Sequence, residues 1–226
     1  MKEHFAEMLE SLRRSLIGMG AEVENQIRLA IEALVTADVV KAREVIERDH
    51  LVDEMEIHNE EAAIHLLATQ QPVAGDLRLL VSSLKINADL ERIGDHAVNI
   101  AEAAERMAKT KPFKKWIDIP HMAEIARGML KDSLDAFVRS DTQLARQVCE
   151  NDDILDEKNK SLIRELLTYM AENPALISFS IDILSVSKNL ERVGDLATNI
   201  GEETIYIADG RVIKHRFDMK GGSGKP

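Results

Sequence analysis

Two stretches of the chain combine acids and amides at helical spacing. ERIGDHAVNI runs from Glu91 to Ile100, and ERVGDLATNI runs from Glu191 to Ile200. Each sets a glutamate four residues before an aspartate and an asparagine four residues further on. Side chains at i and i+4 leave one face of a helix together, and two like charges there weaken it by a few tenths of a kcal/mol. Each stretch has an upstream counterpart, Asp49 with Asp53 and Asp152 with Asp156. Eight carboxylates in four such pairs could bind a multivalent cation. Oxygen-only donors suit magnesium, calcium, manganese or iron better than soft metals. Asn99 and Asn199, one turn beyond, could donate to the carboxylates or ligate through the side-chain oxygen.

Spacing along the chain brings the pairs to a common height. If two helices form a hairpin turning at Pro72, Asp53 lies 19 residues before the turn and Glu91 lies 19 after it. Asp49 and Asp95 each lie 23 from it. At about 1.5 Å per residue, both pairs stand roughly 30 Å from the turn. The second set repeats the match, because Asp156 with Glu191 and Asp152 with Asp195 share the midpoint 173.5. Leu77, Leu84 and Glu91 follow at heptad spacing, as do Ile177, Leu184 and Glu191, so each glutamate continues an apolar line. The polar arc through Arg78, Lys85, Arg92 and His96 is expected to face solvent. An acid on an apolar line is costly unless something neutralises it. Three alternatives are open at this level: a bound cation, solvated acids in chance register, or ion pairs with Arg92, Arg192 or Arg78. Gly94 and Gly194 inside these helices suggest a close helix or ligand approach.

The elements that carry these residues follow from composition and breaks. Abundant Ala, Leu, Glu, Lys and Arg with few aromatics and five prolines point to an all-α chain. Six long helices are expected near 3–37, 39–70, 73–108, 120–139, 142–171 and 174–208. Asp38 and Asp141 stand at N-cap positions, with Asn173 as a further cap. Pro72 and Pro174 are expected in the first turn of a new helix, where a missing N–H costs nothing. KTKPFKKWIDIP (109–120) reads as a connection, with Trp116 packed between two halves, and the tail MKGGSGKP as mobile.

The chain also repeats itself. AREVIERDHLVDE (42–54) aligns with ARQVCENDDILDE (145–157) at an offset of 103, and the two ERxGD stretches align at 100. A period this long suggests duplication of a three-helix unit. The expected architecture is two tandem antiparallel three-helix bundles, residues 1–110 and 120–210, joined by 111–119 and followed by the tail 211–226.

Charge and cysteine content narrow the functional classes. A net charge of −11, from 29 basic and 40 acidic side chains, argues against non-specific nucleic-acid binding. Cys149 is the single cysteine, so no internal disulfide can form. It reads as a small buried apolar group, and a reducing cytoplasm is the expected compartment. MKEHFAEML has no apolar core of a signal peptide, and no apolar run approaches the length of a membrane span. A di-iron enzyme would need Glu-x-x-His on two helices. Glu47 and His50 supply it once, but the second copy has Glu150 and Asp153. GGSGKP is not a phosphate loop, since no strand precedes it and no helix follows.

Over nearly its whole length the sequence resembles the PhoU family of bacterial phosphate-uptake regulators. The likeness is carried by His4–Phe5, Met19–Gly20 and QPVAGDLRLL (71–80), then by DLERIGDHAVNIAE (89–102) and NLERVGDLATNIGEETIYIADG (189–210). The resemblance implies two three-helix bundles, paired as a homodimer. It implies multinuclear clusters of iron, manganese, magnesium or zinc, held by Asp49, Asp53, Glu91 and Asp95 in one bundle. Asp152, Asp156, Glu191 and Asp195 would hold the other. It further implies a negative regulator, not an enzyme, linking the ATPase and membrane parts of a phosphate ABC transporter to a sensor histidine kinase. One departure is local. Leu196 stands where the first copy has His96, and if that histidine supports its centre, the second centre is the weaker. The remaining alternative is a metal-independent helical adaptor whose acidic surface docks basic partners.

Overall fold

Asp38 and Asp141 each start a long helix, because their carboxylates accept the first free N–H groups, from Val40 and Lys41 and from Gln143 and Leu144. The computed structural model describes residues 2–108 and 118–210. Within them lie α1 (Lys2–Thr36), α2 (Val39–Gln70), α3 (Ala74–Met107), α4 (Ile119–Arg139), α5 (Thr142–Glu172) and α6 (Ile177–Asp209). A 3₁₀ turn, Pro174–Leu176, leads into α6, and Asn173 caps it by accepting from the Ala175 N–H. Most of the connection between halves, with Trp116, and the tail from 211 onward lie outside the described residues.

One turn departs from expectation. Pro72 is not in the first turn of α3 but two residues before it. Gln71 takes a left-handed conformation that closes α2, and Val73 is extended ahead of α3. Three residues are thus spent on the reversal, and the proline's fixed φ serves the turn.

α1, α2 and α3 pack on one another, as do α4, α5 and α6. The hairpin register matches the sequence arithmetic. Asn59 Nδ2 donates to Asn87 Oδ1 at 3.0 Å across α2 and α3, and Ser187 Oγ donates to Asn159 Oδ1 at 2.6 Å across α5 and α6. These buried polar pairs penalise a register slip, since a slipped amide would lose its partner away from water.

The two halves share one contiguous apolar core, reaching from Leu16, Met19 and Ile27 on α1 to Phe137 on α4 and Val186 on α6. α3 runs antiparallel along α6, and polar pairs mark the seam. Ser82 Oγ donates to Glu203 Oε2 at 2.7 Å and Lys85 Nζ to Glu203 Oε1 at 2.8 Å. His96 Nδ1 stands 2.8 Å from Asn189 Oδ1, and Arg106 Nε donates to Asp182 at 3.2 Å. The expectation that the arc through Arg78, Lys85, Arg92 and His96 faces water holds for Arg92 and in part for Lys85, which are exposed, and is corrected for Arg78 and His96, which are half-buried. Lys85 and His96 reach across to α6, and Arg78 lies against Gly210 at the end of that helix. Leu77 and Ile177 are exposed and Leu84 and Leu184 half-buried, so each heptad line skirts the core's edge.

Candidate metal centres

In the first half, Asp49 and Glu91 are half-buried while Asp53 and Asp95 are exposed. Burial pushes the Asp49 carboxyl up, and the charges of Asp53 and Asp95 push it further, with His50 opposing. Glu91 is raised first by burial, then by Asp95, Glu56, Asp53 and Asp49. The four acids therefore act on one another across the α2–α3 hairpin, together with Glu56, which spacing did not single out. None of the four is in an ion pair with Lys or Arg among the described residues. Arg92 turns instead to Asp89, at 3.6 Å.

The second half repeats the arrangement with different neighbours. All four acids are half-buried. Asp152 is pushed up to about 7, by burial first and then by Asp195, Asp156, Asp153 and Glu191. Asp195 is raised by burial and by Glu191, against the pull of Arg192 and Lys188. Here basic side chains come close. Lys160 stands 3.5 Å from Asp156, Arg192 donates to Asp195 at 2.9 Å, and Lys188 donates to Glu191. The arginine-pairing alternative thus holds for Arg192 and not for Arg92 or Arg78.

Among the described residues, no three His, Cys, Asp or Glu side chains lie close enough to enclose one ion. Two features nevertheless fit a hard cation. Asp152 Oδ1 is buried with no hydrogen-bond partner, and so is Gln26 Oε1. Each centre also has a bare glycine beneath it. A Cβ on Gly94 would stand 3.5 Å from Asp49 Oδ1 and 3.6 Å from Gln26 Oε1, and one on Gly194 would stand 3.1 Å from Asp152 Oδ1. The glycines let carboxylates of the neighbouring helix come down onto the backbone. Carboxylate and amide oxygens are donors of the kind that Mg, Ca or Mn takes. Gln26 was invisible to the hairpin arithmetic because it lies on α1, outside both hairpins.

Beyond the centres, the two ERxGD helices share a cleft of about 460 Å³ at the α3–α6 seam. Arg92, Asp95 and Asn99 line one side, and Arg192, Asp195 and Asn199 the other. Asn99 and Asn199 thus face a common space between the halves. Glu47 and His50 are exposed, with the imidazole turned back to its own helix 2.6 Å from the Glu47 carbonyl oxygen, and so project into no internal site. Burial pushes the Cys149 thiol up to about 12, which keeps it protonated and a poor nucleophile. No helix of the described residues is long and apolar enough to cross a membrane.

Comparison with known proteins agrees with the internal duplication. The sequence profile of the PhoU domain matches twice, at residues 16–104 and 119–204. The chain is 38% identical over 216 residues to a phosphate-specific transport system accessory protein PhoU homolog of Pseudomonas putida, covering 95% of this chain and 84% of that protein. It is 40% identical over 214 residues to the homolog of Aquifex aeolicus, covering 95% and 97%. The crystal structure of PhoU from Pseudomonas aeruginosa superposes with a TM-score of 0.89 at 38% identity, covering 92% of this chain and 100% of that one. The phosphate transport system regulatory protein PhoU from Streptococcus pneumoniae gives 0.85 at 27% identity, covering 93% and 99%.

Proposed function

The chain belongs to the PhoU family, and from that premise we propose that it is a regulatory accessory protein of a phosphate-specific transport system, working by protein contact and not by catalysis. Its partners are the ATPase and membrane parts of a phosphate ABC transporter and a sensor histidine kinase, which it restrains when phosphate is plentiful. It works in the cytoplasm as a homodimer.

The carboxylates are assigned to metal: Asp49, Asp53, Glu91 and Asp95 in one centre, and Asp152, Asp156, Glu191 and Asp195 in the other. The observation that carries this assignment is that on both hairpins part-buried acids, Asp49 with Glu91 and Asp152 with Asp195, are raised by burial and by neighbouring acids. A bound cation would neutralise them and tie α2 to α3 and α5 to α6. The acids hold the hairpin faces at one height, the glycines admit them to the backbone, and the α3–α6 seam couples the two halves. Helix geometry, and with it the outer surface offered to a partner, would then depend on occupancy. Asn99 and Asn199, on the shared cleft, orient Asp95 and Asp195 one turn away.

A second reading, a metal-independent adaptor, is favoured by the ion pairs of Lys160, Lys188 and Arg192 with the second set of acids. The test is expression in a bacterial strain lacking its own PhoU protein, with a phosphate-starvation reporter read in high phosphate. Wild type is expected to silence the reporter, and a chain with Asp53→Asn and Glu91→Gln to silence it less. Silencing by neither chain refutes the regulatory reading. Equal silencing by both supports the adaptor.

A further inference from the structure

Resting on the reading of the acids as metal ligands, we propose that the two centres are unequal. The Gln26 side-chain oxygen of α1 completes the first, which takes a divalent cation more tightly than the second, whose acids carry their own tethered cations. Gln26 is wholly buried. Its Nε2 donates to the Arg48 carbonyl at 3.4 Å, which fixes the orientation of the amide. The other end, Oε1, has no partner and lies against the Gly94 backbone, which Asp49 Oδ1 also approaches. An acceptor buried beside carboxylates, which when ionised are acceptors only, lacks either a donor or a cation. Amide oxygens are regular ligands of hard cations.

The second half departs from this at each corresponding position. At the offset of 103 that relates Asp49 to Asp152, Gln26 corresponds to Met129. The structure agrees, since a Cβ on Gly194 would meet Met129 Cε at 3.5 Å. A thioether is a soft ligand and a poor one for magnesium or manganese. Lys160 and Lys188 hold Asp156 and Glu191, where the first half has Ile57 and Ala88. Asp89 draws Arg92 away from Asp95, whereas Asn189 leaves Arg192 free to pair with Asp195. Three positive groups therefore stand where an incoming cation must go.

The test is calorimetric titration of the full chain, stripped with chelator, with Mn²⁺ alone, checked by the electron paramagnetic resonance signal of free Mn²⁺. Wild type is expected to show two classes of site separated by at least about tenfold, on the scale of losing a group that supports a metal ligand. Gln26→Met should weaken the tight class by roughly 10–100-fold. Lys160→Ile with Lys188→Ala, both at the surface, should tighten the weak class. A tight class unmoved in folded Gln26→Met protein overturns the proposal, as does a weak class unmoved by the lysine changes. A single class of equal sites in wild type also overturns it. No uptake of Mn²⁺ at all refutes the metal reading itself.

Discussion

Replacing Asp152 by asparagine should stabilise the metal-free protein at neutral and alkaline pH. The carboxyl is raised from 3.8 to about 7 by burial and by four neighbouring acids. At about 1.4 kcal/mol per unit of pKa, keeping it ionised costs the fold about 4 kcal/mol. Water at the rim of this part-exposed site screens some of that, leaving between about 2 and 4 kcal/mol. Because its folded-state pKa lies above the unfolded value, the native state binds the extra proton between about pH 4 and pH 7, and stability falls as pH rises through that window. Asp49, Glu91 and Asp195 are raised too and act in the same sense. The assay is thermal unfolding in chelator at about pH 5 and about pH 8. For a chain of this size each kcal/mol moves the midpoint by roughly 2–4 °C. Asp152→Asn should therefore unfold roughly 4–16 °C above wild type at the higher pH and show much less gain at the lower. A variant that unfolds at or below the wild-type temperature at about pH 8 refutes the claim that these acids repel one another in the fold.

Four further outcomes follow from the packing. Gly194→Ala should cost about 1–3 kcal/mol in chemical denaturation, since its Cβ would come within 2.6 Å of Leu155 Cδ2 in a filled core. Gly94→Ala should fall within about 1 kcal/mol of wild type, because a 3.3 Å approach to Val52 is offset by better helix propensity. Lys85→Met should cost about 2–3 kcal/mol, less than a fully buried pair because Lys85 is half exposed, by removing the ammonium that pairs with the buried Glu203 carboxylate at 2.8 Å. Asp141→Ala should cost about 1 kcal/mol by freeing the first amides of α5.

The helices and the hairpin register were legible because they depend on signals spaced along one strand of chain. Caps at Asp38, Asp141 and Asn173, and acids equidistant from each turn, need no knowledge of the third dimension. The α3–α6 seam was not legible. Lys85 and His96 find polar partners on α6, and in sequence a side chain that meets Glu203 or Asn189 looks like one that meets water. The flaw lay in reading a polar arc as a solvated one. Gln26 carries no periodic signal, as a lone amide on an amphipathic helix. Extending the 103-residue alignment back to α1 and α4 would have set it against Met129 and raised the question of why the halves differ. Lys160 and Lys188 would have emerged from the same comparison, opposite Ile57 and Ala88.

The central claim is that paired carboxylates on each hairpin hold metal. It is tested most directly by elemental mass spectrometry on protein purified without chelator or affinity metal, beside the variant with Asp53→Asn and Glu91→Gln. More than one ion per wild-type chain is expected, and about half that content or less in the variant, with the loss confined to the first centre. A folded wild-type chain that carries no metal, and takes up no added Mn²⁺, would contradict it.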